Sequence, residues 1–288
     1  MALDVIAAGE IYIDLVMSGF DHTPGPGEEA FAREFRREAG GGPVITALGL
    51  ARLGRSTGIA GAVGAEDGAW LIERLARGGV DVSRVQCVPD EFTATTFVIT
   101  DASDRTFFTY AGANRKFKAH IEGATHLHWA APVDCSVFER IRASGMTISL
   151  DIGFAGSDPS ALRALTLVDL FFPNEIEGQR MTGESDPEAI LRAFEQAGAR
   201  GVVLKLGARG AATLADGRLL HFDPPEVSPV DTTGAGDCFN AGYLHAWLAG
   251  KPPEECLRLG NICGALSTRA LGGVAGFPTA EEIDCLLK

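Results

Sequence analysis

The sequence predicts an α/β protein, a doubly wound, mainly parallel sheet with a small β-sheet lid. Short apolar runs of strand length alternate with amphipathic stretches of helix length along most of the chain, the rhythm of βα units. Three β-rich segments, near 11–17, 30–38 and 93–111, interrupt that rhythm and are expected to form the lid. At 288 residues, 46% of them apolar, the chain is long enough for one large domain with a sizeable core.

Val5 to Ala8 is an apolar run ending at Gly9, as in a strand buried on both faces. Ile11, Ile13 and Leu15 then alternate with Tyr12, Asp14 and Val16. After the turn Pro24-Gly25-Pro26-Gly27, the segment Ala30 to Glu38 mixes apolar and charged residues and reads as helix or exposed strand; strand is chosen. Pro43 opens a helix with Ala47, Leu48, Leu50, Ala51 and Leu53 as its apolar face, and Gly54 closes it. A strand over Ile59 to Val63 and a helix over Trp70 to Arg77, stopped by Gly78-Gly79, follow. Thr93 to Thr100 and Thr106 to Ala111 form a hairpin with the polar tip Asp101-Ala102-Ser103-Asp104. Its Phe107, Phe108 and Tyr110 are lid or core residues, with core preferred. Further strands are expected at 126–130, 147–151, 168–171, 202–206 and 211–214. His126 and His128 point to one side of the first of these, but no third ligand is near, so they read as strand-end or pocket-wall residues.

A net charge of −13 argues against nucleic acid or an anionic membrane as a main partner. No stretch is long and apolar enough to span a bilayer. The apolar N-terminal stretch carries Asp4, Glu10 and Asp14 and no basic region, unlike a secretory signal. Cys87, Cys135, Cys238, Cys256, Cys263 and Cys285 show neither zinc spacing nor a disulfide framework, which fits reduced thiols in the cytoplasm.

The most informative stretch is Asp231-Thr232-Thr233-Gly234-Ala235-Gly236-Asp237, followed by Cys238-Phe239-Asn240-Ala241-Gly242. It reads as a glycine turn entering a helix. Gly234 and Gly236 free the backbone to present N–H groups at the helix N-terminus, where the dipole favours an anion. Asp237 lies in the same turn, a poor arrangement for storing phosphate and a sensible one for transferring it. A carboxylate can take a hydroxyl proton while N–H groups stabilise charge. An Asp-capped helix start is the plain alternative, and the coincidence of two Thr, two Gly and two Asp weighs against it.

That string resembles the C-terminal signature of the PfkB carbohydrate kinases, the ribokinase-like sugar and nucleoside kinases. The resemblance implies that Asp237 is the catalytic base and that Gly234, Ala235 and Gly236 form the anion hole. Gly40-Gly41-Gly42 lets the backbone approach a ligand with a helix N-terminus behind it. The run from Gly40 to Gly54, ending Ala51-Arg52-Leu53-Gly54, resembles the family's N-terminal signature. Gly9-Glu10-Ile11-Tyr12-Ile13-Asp14 resembles its first strand, whose Asp binds acceptor hydroxyls; on pattern alone Asp14 reads as a solvent-facing position. Asn114 joins Asp14, Gly40, Gly41 and Gly42 on the acceptor side.

Asn174 and Glu177, in Phe172-Pro173-Asn174-Glu175-Ile176-Glu177, make a capping-box-like start by themselves. By resemblance they are the Asn-x-x-Glu motif that organises Mg²⁺ and phosphate through water, with Glu177 nearest the ion. Gly207 and Gly210 are expected near the nucleotide phosphates and ribose, and Asn261 beside the adenine. Lys205 either approaches the γ-phosphate or snorkels to solvent. Asp231 and Thr233, with carbonyls between Arg269 and Gly276, resemble the monovalent-cation site of related kinases.

The resemblance runs from Gly9 to Pro278 and implies one ribokinase-like domain over 1–288, using ATP and Mg²⁺, with K⁺ as the monovalent cation. It also implies a small sugar or nucleoside as acceptor and pairing of two copies through the lid. One departure matters: Ile45 stands where the family usually has an Asn that contacts sugar hydroxyls, so a donor and an acceptor are lost there. The expected function is ATP-dependent phosphorylation of a sugar hydroxyl, with a nucleoside kinase as the alternative. Intact Asp237, Asn174 and Glu177 argue against a non-catalytic sugar sensor. A dinucleotide-dependent dehydrogenase would need Gly-x-Gly-x-x-Gly after the first strand, but Gly9 is followed by Glu10-Ile11-Tyr12; the P-loop motif is absent.

Overall fold

Val5, Ile6, Ala7 and Ala8 are all fully buried, as suits a strand with helices on both of its faces. They lie on β1 (Leu3–Gly9), near the middle of a six-stranded parallel sheet. Its order is β10 (Leu170–Phe171), β9 (Thr147–Asp151), β8 (Ala124–Ala130), β1, β4 (Thr57–Gly64) and β5 (Asp81–Val88). The computed structural model describes residues 2–22, 24–100, 105–153 and 160–287. The expected hairpin tip at 101–104 lies outside them.

Alternation along β1 divides the core. Val5 and Ala7 pack with residues of α1 (Gly42–Arg52), α2 (Ala69–Arg77), α7 (Ala235–Leu248), α8 (Pro253–Ser267) and α9 (Ala280–Leu286). Ile6 and Ala8 face the other layer, with α3 (Cys135–Ala143), α4 (Ser160–Ala164) and α6 (Pro187–Gln196). The short α5 (Glu175–Thr182) follows β10. The sheet is therefore doubly wound, as the βα rhythm predicts.

A second, four-stranded sheet has the order β3 (Glu34–Gly40), β2 (Tyr12–Ser18), β6 (Thr95–Thr100) and β7 (Arg105–Tyr110). Only its β2–β6 pairing is parallel among these neighbours. Register places Asp14, Glu38 and Thr96 on one face, and Phe35, Phe97 and Phe108 on the other. Phe107, Phe108 and Tyr110 are exposed, Phe108 by 62%, so the expectation of core residues fails. Phe35, Phe97 and Phe108 stand exposed together on that face, while Trp70 of α2 packs against Arg37 on the same face and Phe107 projects from the opposite one.

The remaining strands correct the sequence reading, β13 (Arg218–Phe222) being a further strand that it lacks. Residues 211–214 do form a strand, β12 (Ala211–Ala215), but it runs antiparallel between β11 (Val203–Lys205) and β13 in a third sheet. Parallel bridges from Phe171 to Val202 and from Asn174 to Lys205 join that sheet to the main one. The segment expected at 30–38 begins later, at Glu34, because Phe31 N–H is drawn off to Asp21 and Arg33 N–H to Ser18. β5 has no counterpart in the sequence prediction: as an edge strand it mixes Asp81, Ser83, Arg84 and Gln86 with apolar residues and lacks an apolar run.

Candidate active site

Gly234 begins α7 in the left-handed region, at φ 70°. A side chain there would also collide, since a Cβ would stand 2.6 Å from Ile45 Cδ1 and 3.1 Å from Gly273 Cα. Only glycine makes this turn without strain. The first-turn N–H groups lack intrahelical acceptors. Cys238 N–H closes on the Gly234 carbonyl at 2.9 Å, and Ala235 N–H reaches Thr232 O at 3.3 Å.

Asp237 lies in that first turn and faces a second helix start. A Cβ on Gly42 would stand 2.8 Å from Asp237 Oδ1, so the absence of a side chain at Gly42 is what lets α1 come so close. Thr46 of α1 donates its hydroxyl to the Asp237 carbonyl at 3.2 Å and clamps the two helices together. Burial pushes the Asp237 carboxyl up to about 7; the nearby Asp151 and Glu177 add to this, and Lys205 offsets part of it. A carboxyl so tuned can take a proton near neutral pH.

Lys205 resolves one open alternative. It does not snorkel: its side chain is 14% exposed, and Nζ donates to Asp151 Oδ2 at 2.5 Å. Asn240 Nδ2 donates to the same oxygen at 2.7 Å. Burial works against the Asp151 carboxylate, but Lys205 and Asn240 outweigh it and hold the group below its usual range. Gly236 lies beside the ammonium, since a Cβ there would stand 3.4 Å from Lys205 Nζ.

Asn174 and Glu177 form a full capping box at the start of α5. Asn174 N–H donates to Glu177 Oε2, and Glu177 N–H to Asn174 Oδ1, both at 2.8 Å. Glu177 is 5% exposed; burial pushes it up to about 7, and the Asp151 charge adds to that. Asp151, Glu177 and Asp237 thus surround Lys205 and influence one another's protonation.

On the other side of the cleft, Asp14 of β2 sits against Gly40, where a Cβ would overlap its carboxylate. Burial pushes Asp14 up to about 7, and Glu38, directly opposite on β3, raises it further. Gly41, the N-cap of α1, has φ 100°. Glu38 also lies against the 269–276 loop, its Cδ 3.4 Å from where a Gly272 Cβ would be. Asn114 is spent on the backbone: Nδ2 donates to Ile11 O at 3.1 Å and Oδ1 accepts from Ile11 N–H at 3.3 Å.

Gly207 and Gly210 bracket a single turn between β11 and β12, with Leu206 N–H donating to Gly210 O at 2.8 Å. Asn261 is buried on α8 and donates to Phe222 O at 2.7 Å, tying β13 down. Asp231 Oδ1 accepts from Thr233 N–H at 2.9 Å and from its hydroxyl at 2.7 Å, while Oδ2 accepts from Gly272 N–H at 2.9 Å.

The pfkB family carbohydrate kinase profile matches residues 2–280. The chain belongs to the pfkB family of carbohydrate kinases. It is 30% identical to an ATP-dependent ribose-1-phosphate kinase of Halopiger xanaduensis, over 98% of this chain and 97% of that protein. Among solved structures, Arabidopsis thaliana ribokinase complexed with ribose and ATP superposes with a TM-score of 0.90 at 27% identity, covering 100% of this chain and 99% of the other. A putative ribokinase II of E. coli in complex with ATP and Mg²⁺ gives 0.86 at 27% identity, with 99% of each chain covered.

As a pfkB-family carbohydrate kinase the chain is a phosphotransferase with a sugar hydroxyl as acceptor. Three residues that the fold brings against the predicted ones escaped the sequence reading: Asp151 and Asn240 beside Lys205, and Glu38 beside Asp14. Asp151 had a signal, for it ends a parallel strand, where ligands of such sheets gather. Glu38 had none until register set it across from Asp14. The reading of His126 and His128 as strand-end or pocket-wall residues also changes. Both are fully buried within β8; His126 bonds Thr147 and Ser149, and His128 bonds Ser149, each at 2.8 Å. Burial pushes them down to about 3 and about 4, so they are neutral core residues.

Proposed function

We propose that this kinase moves the γ-phosphoryl group of ATP in line onto a hydroxyl of a small sugar or sugar derivative, with Asp237 as general base. The observation that carries the reading is Asp237 itself, held at a left-handed glycine turn against the start of α1 and pushed up to about 7. The acceptor hydroxyl gives its proton to Asp237 as its oxygen bonds to the γ-phosphorus. The bond from phosphorus to the bridging oxygen breaks, and ADP leaves. Gly234, Ala235 and Gly236 supply the N–H groups that meet the charge on the transferred group.

Asp14 and the Gly40-Gly41-Gly42 backbone hold the acceptor, with Asn114 bracing Ile11 beside them. Lys205, Gly207, Gly210 and Asn261 form the nucleotide side. Asp151, Glu177 and Asp237 outnumber Lys205, and that excess of negative charge fits a divalent cation. Glu177, with Asn174, would hold Mg²⁺ through water, and the ion would neutralise phosphate charge. Asp231 and Thr233 would hold K⁺ where the Asp231 carboxylate ties Thr233 to Gly272. The small sheet would close as a lid, and its exposed Phe35, Phe97 and Phe108 support a homodimer through that sheet. Free cysteines throughout favour a reducing cytoplasm.

A nucleoside acceptor is the second reading, favoured by Ile45: it is apolar and buried and offers no hydrogen bond to a sugar hydroxyl. A coupled ADP-release screen over sugars, sugar acids, sugar phosphates and nucleosides separates the two. On the best acceptor, Asp237→Asn should lose about 10²–10⁴-fold in kcat with ATP binding nearly intact. A variant that keeps more than roughly half of the wild-type kcat is not missing its base.

A further inference from the structure

The Lys205–Asp151 pair has no assigned step in that reaction, yet it adjoins the turn where the reaction would occur. We propose that Asp151 is a positioning residue for phosphoryl transfer, acting through Lys205; the inference rests on the reading of the Asp237 turn as the transfer site.

Asp151 closes β9 at the carboxyl end of the parallel sheet. Both of its oxygens are occupied: Oδ2 accepts from Lys205 Nζ at 2.5 Å and Asn240 Nδ2 at 2.7 Å, and Oδ1 from Gly153 N–H at 3.1 Å. A carboxylate engaged in this way serves as a holder rather than a base. The group it holds carries three N–H bonds. One goes to Asp151, and among the described residues Lys205 Nζ has no other hydrogen-bond partner.

Gly236 fixes where the other two N–H bonds are useful. The ammonium lies against this bare glycine of the turn, 3.4 Å from where its Cβ would be. A lysine is a point charge on a flexible stem, and a buried one without a partner withdraws or loses its charge. Asp151 prevents both. The groups that face the pair are His128 from β8, Glu177 from α5, and Asp237 and Asn240 from α7. With His128 neutral, Lys205 is the positive charge of this group. Oxygens gaining charge at the turn would meet a cation whose position is already set, with no reorganisation during the reaction.

The test compares Asp151→Asn, Lys205→Met and the double variant with wild type. Rates are measured on the acceptor found in the screen, and Kd for ATP and ADP with Mg²⁺ by calorimetry. Asp151→Asn should lose roughly 10–100-fold in kcat, and Lys205→Met a similar amount. The double variant should be no worse than Lys205→Met, because Asp151 then has nothing to position. The ATP-over-ADP affinity ratio should fall in both single variants, with ADP affinity within about threefold of wild type. Wild-type kcat in Asp151→Asn, or losses that multiply in the double variant, would overturn the proposal. If Asp151→Asn does not fold, Asp151→Glu keeps the charge, displaces it by one methylene and is read by the same criteria. If the wild type phosphorylates no acceptor, the functional reading has failed. The affinity ratio then decides the role of Asp151 by itself, and an unchanged ratio overturns it.

Discussion

On the transfer side of the cleft, Asp151 has both oxygens hydrogen-bonded and Glu177 is closed into a capping box. On the acceptor side, Asp14 faces Glu38 across a strand pair, and among the described residues neither carboxylate has a hydrogen-bond or ion-pair partner. The first region is built before any ligand arrives. The second carries unsatisfied acceptors and a like-charge contact that a bound polyol would relieve by donating hydroxyl hydrogens. In the proposed function the difference separates chemistry from choice: phosphoryl transfer would depend on parts already in place, while acceptor recognition would be completed by the acceptor.

The largest effect that could break this comparison is in pH. As the proposed base Asp237 must be ionised, and burial pushes its pKa up to about 7. The pH profile of kcat/KM should therefore turn down near pH 7 and stand about 100-fold below its plateau at pH 5. A profile flat down to about pH 4.5 would show that the transfer side is not tuned as described.

A smaller effect sharpens the division of the cleft. Asp14→Ala should raise acceptor KM by roughly 10–100-fold, the loss of one charge-assisted hydrogen bond or more. The KM for ATP should stay within about twofold. Weakened ATP binding with an unchanged acceptor KM would mean that the two sides have been assigned the wrong way round.

The proposed closure of the small sheet predicts a further difference. Amides of β2, β3 and β6 should exchange several-fold more slowly when acceptor is bound, and those of β8 and β9 should change little. Equal protection in both sheets, or none in the small one, would remove the lid.

The smallest effect concerns the empty protein. Asp14 is raised in the folded state, so folding takes up a proton there. Its stability contribution is present below about pH 4 and lost as pH rises through about 7. Asp14→Asn removes that loss. Its Tm should exceed wild type by roughly 2–4 °C at pH 8 and match it near pH 4. A Tm difference that does not vary with pH would show that Asp14 carries no such strain.

Much of this was legible in the residues. The apolar run Val5 to Ala8 announced a central strand, and the Gly234–Asp237 string announced a glycine turn entering a helix with a carboxylate in its first turn. β5 and β13 stayed hidden because edge strands carry polar residues and lack the apolar runs that mark buried ones. Lys205 could not be placed from sequence, for its partner Asp151 is 54 residues away and only folding pairs them. Phe108 reads as core by composition, yet it is exposed because β7 is the edge strand of its sheet, a fact of topology rather than of local pattern.

Ile45 binds three positions into one unit of inheritance. Its Cδ1 would lie 2.6 Å from a Cβ on Gly234 and equally close to one on Gly273. Neither glycine can gain a methyl group unless the isoleucine side chain shifts. Nor is the isoleucine replaced without consequence, since a shorter residue leaves space between the Gly234 turn and Gly273. Drift at any one of the three is therefore conditional on the other two. In descendants of this chain, a change of acceptor that begins at position 45 should leave its mark as paired changes at 234 or 273, far away in sequence and adjacent in space.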